Sequence, residues 1–514
     1  MLYNIDRLIS GIDLNVVDWK GLLVMKKRIL SVILLCSLVL ASCGGAAQTE
    51  DKESSALSGE SSAAETQETG ETRARDELAA ADFGGRTFSI LAREETRFEF
   101  DTEQDGELVN DAVYNRNKNT EDRFNCKIEY IIEPGAWGSK DTYQGLIRNS
   151  VMSGDDTYQV VTGQANIVLP LSVDYLYHDL ADSRYIDFEK PYWKDGYTDN
   201  AKIDGHLYAV CGDFALTTLT MSNALFFNKS IMDKYGIEYP YQKVMDGKWT
   251  LDEFLSIVSD VSEDLNGDGK IDKDDLHGFA AYNNSINPFN YSTGIEYTRL
   301  ESDGSRTITF PDEKAVDIYD KVKALCKSDA FIDTQKLDTG FDVESAMAVE
   351  FKNGKCLMMG MYLGGVEKLR DMDVDFGILP YPKYDEKSDY RTSVLRRYTI
   401  TSVPTTAQEP EQIEMLLEAM ASEGYNKIVP AYYDIALKGK YTRDAETVDM
   451  LDIISGSSWF DFCDIYFTEL GYISDFMSNY VLGSANGLVS SFEKQRKAFE
   501  KNLEKLREAY ANAE

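Results

Sequence analysis

The sequence predicts an α/β fold with two lobes, and both the order of its segments and its length support this. Residues 86–91 alternate apolar and polar side chains after a Gly-Gly turn, which is the pattern of a strand. Residues 110–124 have helical spacing, and residues 127–132 return to the strand pattern. This order is typical of a parallel sheet with helices on its faces. A chain of 514 residues is too long for one compact core, which favours two.

Later segments continue the alternation of strands and helices. Residues 158–163 form another short predicted strand. Because parallel sheets bind ligands beyond the carboxyl ends of their strands, the loops after Leu91 and Val161 are candidate ligand loops. Thr250 and Glu253 have the spacing of a capping box at the start of a helix. Further helices are predicted at 314–326, 345–351, 412–423 and 492–512, and a further strand at 376–380.

The N-terminal region has the features of an export signal. Residues 25–28 are basic apart from Met25, residues 29–40 are apolar, and small residues precede Cys43. Leu40-Ala41-Ser42-Cys43 resembles the lipobox of bacterial lipoproteins, and the resemblance implies that Cys43 becomes a lipid-modified N-terminus at the extracellular face of the membrane. The alternatives are a cleaved signal peptide or a short membrane helix with a chance Cys. The apolar stretch is shorter than the roughly 20 residues that span a bilayer.

The segments on either side of this signal have separate interpretations. Residues 1–24 precede the charges with which a signal sequence should begin, so a translation start at Met25 is favoured over one at Met1. Residues 1–42 are therefore interpreted as an upstream extension plus a lipoprotein signal peptide. Residues 43–82 are mostly Gly, Ala, Ser, Thr, Gln and Glu. Such a segment cannot bury enough apolar surface to offset its ordering entropy, which predicts a disordered tether.

Composition excludes several classes of partner and site. The chain has 88 acidic and 53 basic residues and a formal charge of −35, which repels nucleic acid and anionic lipid. A monomer is expected. Three His without metal-ligand spacing argue against zinc. With no CxxC pair, the Cys that remain after the signal are expected to be buried free thiols rather than disulfides: Cys126, Cys211, Cys326, Cys356 and Cys463.

Motifs of common enzyme classes are missing from the sequence. It contains no Gly-x-Ser-x-Gly elbow, no P-loop and no Gly-x-Gly-x-x-Gly after a strand. The abundant acidic residues make chance pairs of carboxylates, so a glycan hydrolase stays open. No catalysis is expected.

A set of segments in the folded region resembles the extracellular solute-binding proteins of ABC importers, the maltose-binding-like group called family 1. The segments are Leu-Phe-Phe-Asn-Lys at 225–229, Trp-Thr-x-x-Glu-Phe at 249–254, Phe-x-x-Gly-Lys-x-x-Met at 351–358, and a strand ending in Pro at 375–380. Each is weak alone, but their order across residues 85–460 is that of the family.

The resemblance implies a two-lobed periplasmic-binding-protein-like fold (type II) with the ligand in an interlobe cleft. Residues 83–220 and 381–435 would form lobe 1, and residues 221–380 and 436–514 would form lobe 2. The implied function is a lipid-anchored protein that delivers a carbohydrate or similar polar solute to the permease of an ABC transporter by cleft closure. The alternative is a surface glycan-binding adhesin or glycan hydrolase.

Polar and aromatic residues on loops are the candidates for ligand binding. Sugars stack their C–H faces on aromatic rings and give their hydroxyls to polar side chains. For each candidate the alternative is ordinary packing. The candidates are Arg93 after the first strand, Trp137 on a Gly-rich loop, Gln164 and Asp213 near the first crossing, Tyr362 where the family carries a stacking residue, and Trp459 where it often places a late aromatic.

Residues 264–275 have the spacing of an EF-hand calcium loop. Gly269 lies at position 6, where such a loop turns sharply. The final position holds Asp instead of Glu, which predicts weak affinity, and the alternative is a solvated acidic turn. A structural Ca²⁺ would be bound by the side chains of Asp264, Asn266, Asp268, Asp272 and Asp275 and by the backbone carbonyl of Lys270.

Overall fold

The computed structural model describes residues 73–433 and 445–512. The predicted signal peptide, Cys43 and most of the predicted tether lie outside the described residues. The described part contains a four-stranded sheet and a six-stranded sheet, which we call sheet 1 and sheet 2, and two small two-stranded pairs.

Sheet 1 is the core of lobe 1, and sheet 2 is the core of lobe 2. The strands are β1 (Arg86–Arg93), β2 (Cys126–Glu133), β3 (Val160–Gln164), β4 (Asn223–Asn228), β5 (Ser262–Glu263), β6 (Leu276–Ala281), β7 (Thr298–Leu300), β8 (Arg306–Ile308), β9 (Phe331–Asp333), β10 (Cys356–Tyr362), β11 (Phe376–Leu379), β12 (Thr392–Ser393), β13 (Thr399–Ser402) and β14 (Ser458–Trp459).

Helices cover both sheets. They are α1 (Leu108–Phe124), α2 (Lys140–Ser153), α3 (Ala165–Val168), α4 (Asp195–Ala201), α5 (Thr217–Thr220), α6 (Lys229–Tyr235), α7 (Tyr241–Met245), α8 (Leu251–Val258), α9 (Asn283–Ile286), α10 (Pro288–Ser292), α11 (Glu313–Cys326), α12 (Val343–Lys352), α13 (Pro410–Glu423), α14 (Ala445–Gly456), α15 (Phe462–Ile465), α16 (Phe476–Leu482) and α17 (Leu488–Ala511). The predicted helices are all present, with ends shifted by a few residues.

Sheet 1 has the strand order β13-β3-β1-β2. β1 runs parallel to β2 and β3, whereas β13 runs antiparallel to β3. Arg93 therefore lies opposite Glu133, and Thr399 lies opposite Gln164. The carboxyl ends of β1, β2 and β3 and the amino end of β13 share one edge of the sheet.

Sheet 2 has the order β11-β4-β10-β6-β5, with β9 also paired to β6. β4 is antiparallel to β10 and β11, while β6, β9 and β10 are mutually parallel. Tyr362 at the end of β10 lies opposite Asn223 at the start of β4. Every residue of β4 and β6 is buried, as expected for inner strands covered on both faces.

Side-chain caps set the first residues of α8 and α12 in lobe 2. The Thr250 hydroxyl accepts a hydrogen bond from the Glu253 amide at the start of α8, so the predicted N-cap is confirmed. The reciprocal half of the predicted capping box does not form, because the Glu253 carboxylate pairs with Lys243 instead. Asp342 caps α12 by accepting from the Ser345 amide at 2.9 Å. This cap sets where α12 begins and therefore where Glu344 lies.

The segment before β1 packs on lobe 1 earlier than composition suggested. The tether was expected to extend to residue 82, but residues 73–82 contact α1 and α13. Asp76 forms an ion pair with Arg123 at 2.6 Å, and its amide donates to Ser422. Arg73 donates to the Tyr425 carbonyl. The ion pair and these hydrogen bonds involve residues more than 40 positions away, so the composition of the segment could not reveal them.

The C-terminal helix contacts both lobes. The ring of Phe492 near its start lies 4.9 Å from that of Phe310, on the lobe 2 side. The hydroxyl of Tyr510 near its end lies 3.0 Å from that of Ser172 in lobe 1. Residues 436–514 were assigned to lobe 2, and α14 does pack against β11 there, but α17 spans the two lobes. The amphipathic pattern predicted the helix and could not show which surfaces it covers.

The predicted state of the five Cys is confirmed. All are free; Cys126, Cys211, Cys356 and Cys463 are buried and Cys326 is half-buried. Burial raises the pKa of the Cys326 thiol to about 12, which keeps it protonated. No helix within the described ranges is long and apolar enough to cross a membrane.

Candidate functional site

Charged and phenolic side chains from both lobes meet where the two sheet edges face each other. We call this group the Arg397 cluster; its members are Arg93, Tyr282, Glu344, Tyr362 and Arg397. Arg93 ends β1 and Arg397 precedes β13 in lobe 1, while Tyr282 follows β6 and Tyr362 ends β10 in lobe 2. The cluster therefore lies at the strand ends where sheets of this kind bind ligands.

Glu344 is the centre of the cluster. It lies in the first turn of α12 and is 9% exposed. Its carboxylate pairs with Arg397 of the other lobe and accepts hydrogen bonds from the hydroxyls of Tyr282 at 2.8 Å and Tyr362 at 3.3 Å. The amino end of a helix favours an anion at this position. Burial raises the pKa of both phenols, and the Glu344 charge adds to the effect, so both remain hydrogen-bond donors.

Arg397 joins the two lobes through its side chain and its backbone. Its guanidinium carbon lies 5.2 Å from the centre of the Tyr362 ring, a cation–π distance. Burial lowers the pKa of Arg397, but the Glu344 carboxylate outweighs this and raises it. The Arg397 carbonyl accepts a hydrogen bond from Arg93 at 2.5 Å. Arg397, in the segment that leads from lobe 2 back into β13 of sheet 1, is thus bound by a residue of each lobe.

Arg93 is a buried cation with spare hydrogen-bonding capacity. It is 2% exposed and also donates to the Thr399 hydroxyl at 3.3 Å. Its Nε has no hydrogen-bond partner among the described residues. Burial lowers the pKa of Arg93 while Glu99 opposes that shift. Glu99 is itself 1% exposed and accepts from Thr399 at 2.7 Å. Arg93 therefore links the end of β1 to the segment 397–399, and its Nε–H remains as a donor without a partner among the described residues.

Half of the sequence-predicted ligand residues lie in or beside this cluster. Arg93 and Tyr362 belong to it. Gln164 is buried at the end of β3, directly opposite Thr399, to which Arg93 donates. The candidate ligand loops after Leu91 and Val161 therefore begin at the same edge of sheet 1.

Trp137 lies at the same edge of sheet 1, on the loop after β2. The amides of Gly135 and Ala136 donate to the Glu95 carboxylate at 3.1 and 3.0 Å, which fixes the loop against the end of β1. The Trp137 side chain is 43% exposed, and Lys140 lies 4.6 Å from its ring centre. On the other lobe Phe341, just before α12, is 62% exposed. Each lobe thus presents an exposed aromatic ring, that of Trp137 on the loop after β2 and that of Phe341 just before α12.

Asp213 is not brought to the cluster. It is buried in lobe 1 and forms an ion pair with Lys194 at 2.6 Å. Burial raises the pKa of Asp213, and Lys194 opposes that shift. Its carboxylate has a partner that belongs to the fold of lobe 1, so its position favours a structural role.

Trp459 lies beside the return crossing instead of in the Arg397 cluster. It pairs with Ser393 in the short β12–β14 ladder, and the Arg391 guanidinium lies 3.9 Å from its ring centre. Its indole N–H is buried and has no acceptor among the described residues. Ser393 also accepts from Asn223, at the start of β4, at 3.0 Å. Trp459 therefore lies beside Ser393, at the point where the segment around Ser393 contacts the start of β4.

The raised pKa of Asp461, two residues after Trp459, predicts that the stability of the protein depends on pH. Burial and the neighbouring Asp464 raise its pKa from 3.8 to about 7. Between these values the folded carboxyl holds a proton that the unfolded chain releases, so the free energy of unfolding falls as pH rises from about 4 to about 7. Asp461→Asn keeps the cap on the Cys463 amide and removes this penalty. Relative to wild type, the variant is expected to gain about 4 kcal/mol between pH 4 and pH 8.

Urea unfolding at both pH values measures this difference. Asp199→Asn, at an exposed position of α4, is the matched control and should leave the difference between the two pH values unchanged. An Asp461→Asn variant that gains nothing at pH 8 relative to pH 4 would contradict the assignment.

The acidic loop is closed by hydrogen bonds to its own backbone. The Asp264 carboxylate accepts from the amides of Gly267 at 2.6 Å and Gly269 at 2.7 Å. Gly269 has φ +84°, as a sharp turn at position 6 requires. Asp275 is fully buried, and the amide of Asp272 donates to it at 2.8 Å and lowers its pKa. Within the described ranges no three His, Cys, Asp or Glu side chains converge to hold a metal.

Sequence reasoning missed three members of the cluster, Tyr282, Glu344 and Arg397, and the neighbouring Glu99. Glu344 stands just before the predicted helix 345–351, and Arg397 follows the apolar Val394-Leu395 in the return segment. An acidic residue in a first helical turn and a basic residue ahead of a strand are both common at surfaces. Their pairing depends on the packing of two lobes, which no local pattern shows.

The comparisons with known proteins concern the fold. No protein-family model and no curated protein sequence matches the chain. Among solved structures, UgpB from Mycobacterium tuberculosis in complex with glycerophosphocholine has a TM-score of 0.54 at 13% identity, over 82% of this chain and 99% of that one. An ABC substrate-binding protein of Listeria monocytogenes in complex with cycloalternan has a TM-score of 0.51 at 11% identity, over 83% of this chain and 99% of that one.

A third structure agrees with these. The GacH receptor of Streptomyces glaucescens, studied unliganded and with acarbose, has a TM-score of 0.51 at 16% identity, over 82% of this chain and 99% of that one. The predicted fold class is confirmed: the chain has the two-lobed α/β fold of maltose-binding-like, ABC-importer substrate-binding proteins.

Proposed function

We propose that the protein binds a carbohydrate or a similar polar solute in the cleft between its lobes and delivers it to the permease of an ABC transporter. The observation that carries the proposal is the Arg397 cluster, in which lobe 1 and lobe 2 contribute opposite charges to one point between the two sheet edges. The solved structures of this fold described above are binding proteins, which favours binding over the adhesin or glycan hydrolase alternative.

The chemistry around the cluster suits a polyhydroxylated solute. Tyr282, Tyr362 and Arg397 donate hydrogen bonds, and Glu344 accepts them. Sugar hydroxyls both donate and accept, so they can substitute for either partner of these bonds. The exposed ring of Trp137 offers a flat apolar face for the C–H side of a sugar. A neutral solute is favoured, because Glu344 compensates the charge of Arg397 and the nearby Glu99 compensates that of Arg93.

Lobe closure follows from the same geometry. Arg397 precedes the strand that re-enters sheet 1, while Glu344 lies on a helix of lobe 2. A solute that contacts both residues stabilises the arrangement in which the lobes approach, and it shifts the equilibrium only by its preference for that arrangement. No covalent chemistry is part of this function, and the protein is proposed not to be an enzyme.

The cellular setting completes the proposal. Cys43 carries a lipid that holds the protein at the extracellular face of the membrane, the segment between Cys43 and residue 73 is the tether, and the protein acts as a monomer. A tether raises the local concentration of the binder near its transporter. Cys43→Ala is expected to move the protein from the membrane fraction to the soluble fraction, and an unchanged distribution would overturn the anchor.

A thermal-shift screen of neutral sugars and oligosaccharides tests the binding function. A ligand at 100 times its dissociation constant adds about 2.7 kcal/mol to the free energy of unfolding, which is easily measured as a rise in melting temperature. A hit should be lost or weakened in Tyr362→Phe, which removes one hydroxyl of the cluster. Failure of every glycan would overturn the carbohydrate assignment, and product formation from a glycan would favour the hydrolase alternative.

We also propose that residues 264–275 bind Ca²⁺ in a structural role. The spacing of oxygen side chains supports this, as does the positive φ of Gly267 and Gly269. Calcium added to chelator-treated protein is expected to raise the melting temperature, with a dissociation constant of about 10⁻⁴–10⁻³ M by calorimetry. Asp268→Ala should abolish the rise, because position 5 supplies a ligand.

Asp274→Ala is the matched control for the loop. It removes an equal charge from position 11, which supplies no ligand in this spacing, and its carboxylate pairs with Lys273 instead. Equal calcium responses in Asp268→Ala and wild type would rule out the site.

A further inference from the structure

A cavity lies between the C-terminal helix α17 and both lobes, away from the Arg397 cluster. Its volume is about 690 Å³, within the range of small-molecule sites. Residues 202–204 after α4 form its lobe 1 wall, residues 304–308 around β8 form its lobe 2 wall, and Phe462 and α17 close it. We call it the seam cavity. It shares no residue with the Arg397 cluster.

Part of the lining of the seam cavity is apolar. Ile203, Phe462 and Leu506 line it and are buried, and Ile308 and Leu503 line it and are half-buried. Leu503 and Leu506 belong to α17, and Ile308 belongs to the hairpin formed by β7 and β8. The cavity lies between this part of the helix and that hairpin. An apolar body of a ligand gains about 25 cal/mol for each Å² that it removes from water here.

Arg306 supplies a cation at the cavity wall. Its guanidinium carbon lies 3.7 Å from the centre of the Phe462 ring, which orients it. Within the described ranges its one hydrogen-bond acceptor is Asn200 Oδ1 at 3.3 Å, and it forms no ion pair with a carboxylate. A guanidinium has five N–H donors, so most of them are available to a carboxylate. Three further cations line the cavity: Arg496 is engaged by Glu493 and by the Phe310 carbonyl, Arg507 is paired with Asp204, and Lys202 lies 5.6 Å from the centre of the Phe188 ring.

The outer rim carries the opposite charge. Glu500, Glu504 and Glu508 follow one another at a spacing of four along α17 and are all exposed. No ion pair within 4.0 Å engages them among the residues described. Arg507 on the same helix is paired with Asp204. The cavity therefore has a cation at its wall, an apolar middle and three unpaired carboxylates at its mouth.

We propose that the seam cavity binds a small zwitterion with an apolar middle, whose carboxylate pairs with Arg306 and whose ammonium group faces the glutamates of the rim. The charges at the two ends set the orientation, and the apolar middle lies along Phe462, Leu503 and Leu506. The site shares no residue with the Arg397 cluster.

Calorimetry with matched probes on the full chain tests the proposal. 6-Aminohexanoate carries both charges, hexanoate carries the carboxylate alone, and hexylamine carries the ammonium group alone. We expect 6-aminohexanoate to bind best. Arg306→Gln should weaken binding of 6-aminohexanoate and hexanoate at least about tenfold and leave hexylamine unchanged, because tenfold corresponds to about 1.4 kcal/mol for one lost charged hydrogen bond.

Two further variants keep the test decisive if Arg306→Gln folds poorly. Glu504→Gln changes an exposed residue and should weaken 6-aminohexanoate and hexylamine but not hexanoate. Leu503→Trp fills the cavity and should abolish binding of all probes. Arg299→Gln, on the same hairpin and paired with Glu301, is the control that should change nothing.

Two results would overturn the proposal. One is binding of 6-aminohexanoate to wild type that is weaker than about 10 mM, where the binding free energy is too small for a built site. The other is binding that persists unchanged in both Glu504→Gln and Leu503→Trp. Failure of the glycan screen leaves this test intact, since the two sites share no residue.

Discussion

Arg397→Met is expected to lower the affinity for the cleft solute by about 30-fold and to lower the free energy of unfolding by about 2 kcal/mol. The substitution leaves the Glu344 carboxylate buried without its cation and removes the charge that links the lobes. Breaking a buried pair costs about 3–5 kcal/mol, but the Arg397 side chain is 33% exposed, so water compensates part of the loss. Calorimetry with the solute found by the glycan screen, together with urea unfolding, measures both effects.

Two variants show whether the pair itself is responsible. Adding Glu344→Gln to Arg397→Met should restore part of the stability, because the orphaned charge is gone. Arg148→Met removes an exposed ion pair of lobe 1 with Asp174 and should change stability by less than about 0.5 kcal/mol. If Arg397→Met binds solute as wild type does, the cluster is not the binding site.

Gly278→Ala is expected to destabilise lobe 2 by about 3 kcal/mol or more. Gly278 lies in β6, an inner strand of sheet 2, and a Cβ there would lie 1.9 Å from the carbonyl oxygen of Val258 in α8. Backbone atoms cannot rotate away as a side chain can, so β6 and α8 have to separate. Urea unfolding of purified protein measures the loss, and reduced solute affinity should accompany it because Tyr282 follows β6.

Gly145→Ala provides the matched comparison. Gly145 lies inside α2 with nothing within 4 Å of its Cβ position. Alanine is the better helix former, so this variant should gain about 0.5–1 kcal/mol. Equal stabilities for the two variants would show that the close approach of α8 to β6 is not rigid.

Local patterns were sufficient to predict the elements of the fold. The alternation at 86–91 and the helical spacing at 110–124 depend on residues a few positions apart, and β1 and α1 formed as predicted. The Thr250 cap succeeded for the same reason. The reciprocal bond of Glu253 failed because Lys243, ten residues away, offers a charged partner that a backbone amide cannot match.

The candidate site was predictable only in part. Arg93 was a candidate because it follows the first predicted strand, Gln164 because it lies near the first crossing, and Tyr362 because the resembling family carries a stacking residue there; all three lie in or beside the Arg397 cluster. Asp213 has the same local context, yet Lys194 engages it inside lobe 1. Glu344 and Arg397 lie 53 positions apart, and no pattern in either segment predicts that the two side chains pair.

The order of strands and helices, the free thiols and the strong negative charge are fixed by the sequence itself, since each depends on near neighbours or on composition. Which residues face each other across the lobes was decided by the tertiary structure. Ion pairs such as Arg397 with Glu344, and the path of α17 over both lobes, require surfaces that exist only after each sheet has packed. Contacts between distant segments depend on the relative positions of the lobes. The spacing of neighbouring side chains along the chain does not determine those positions.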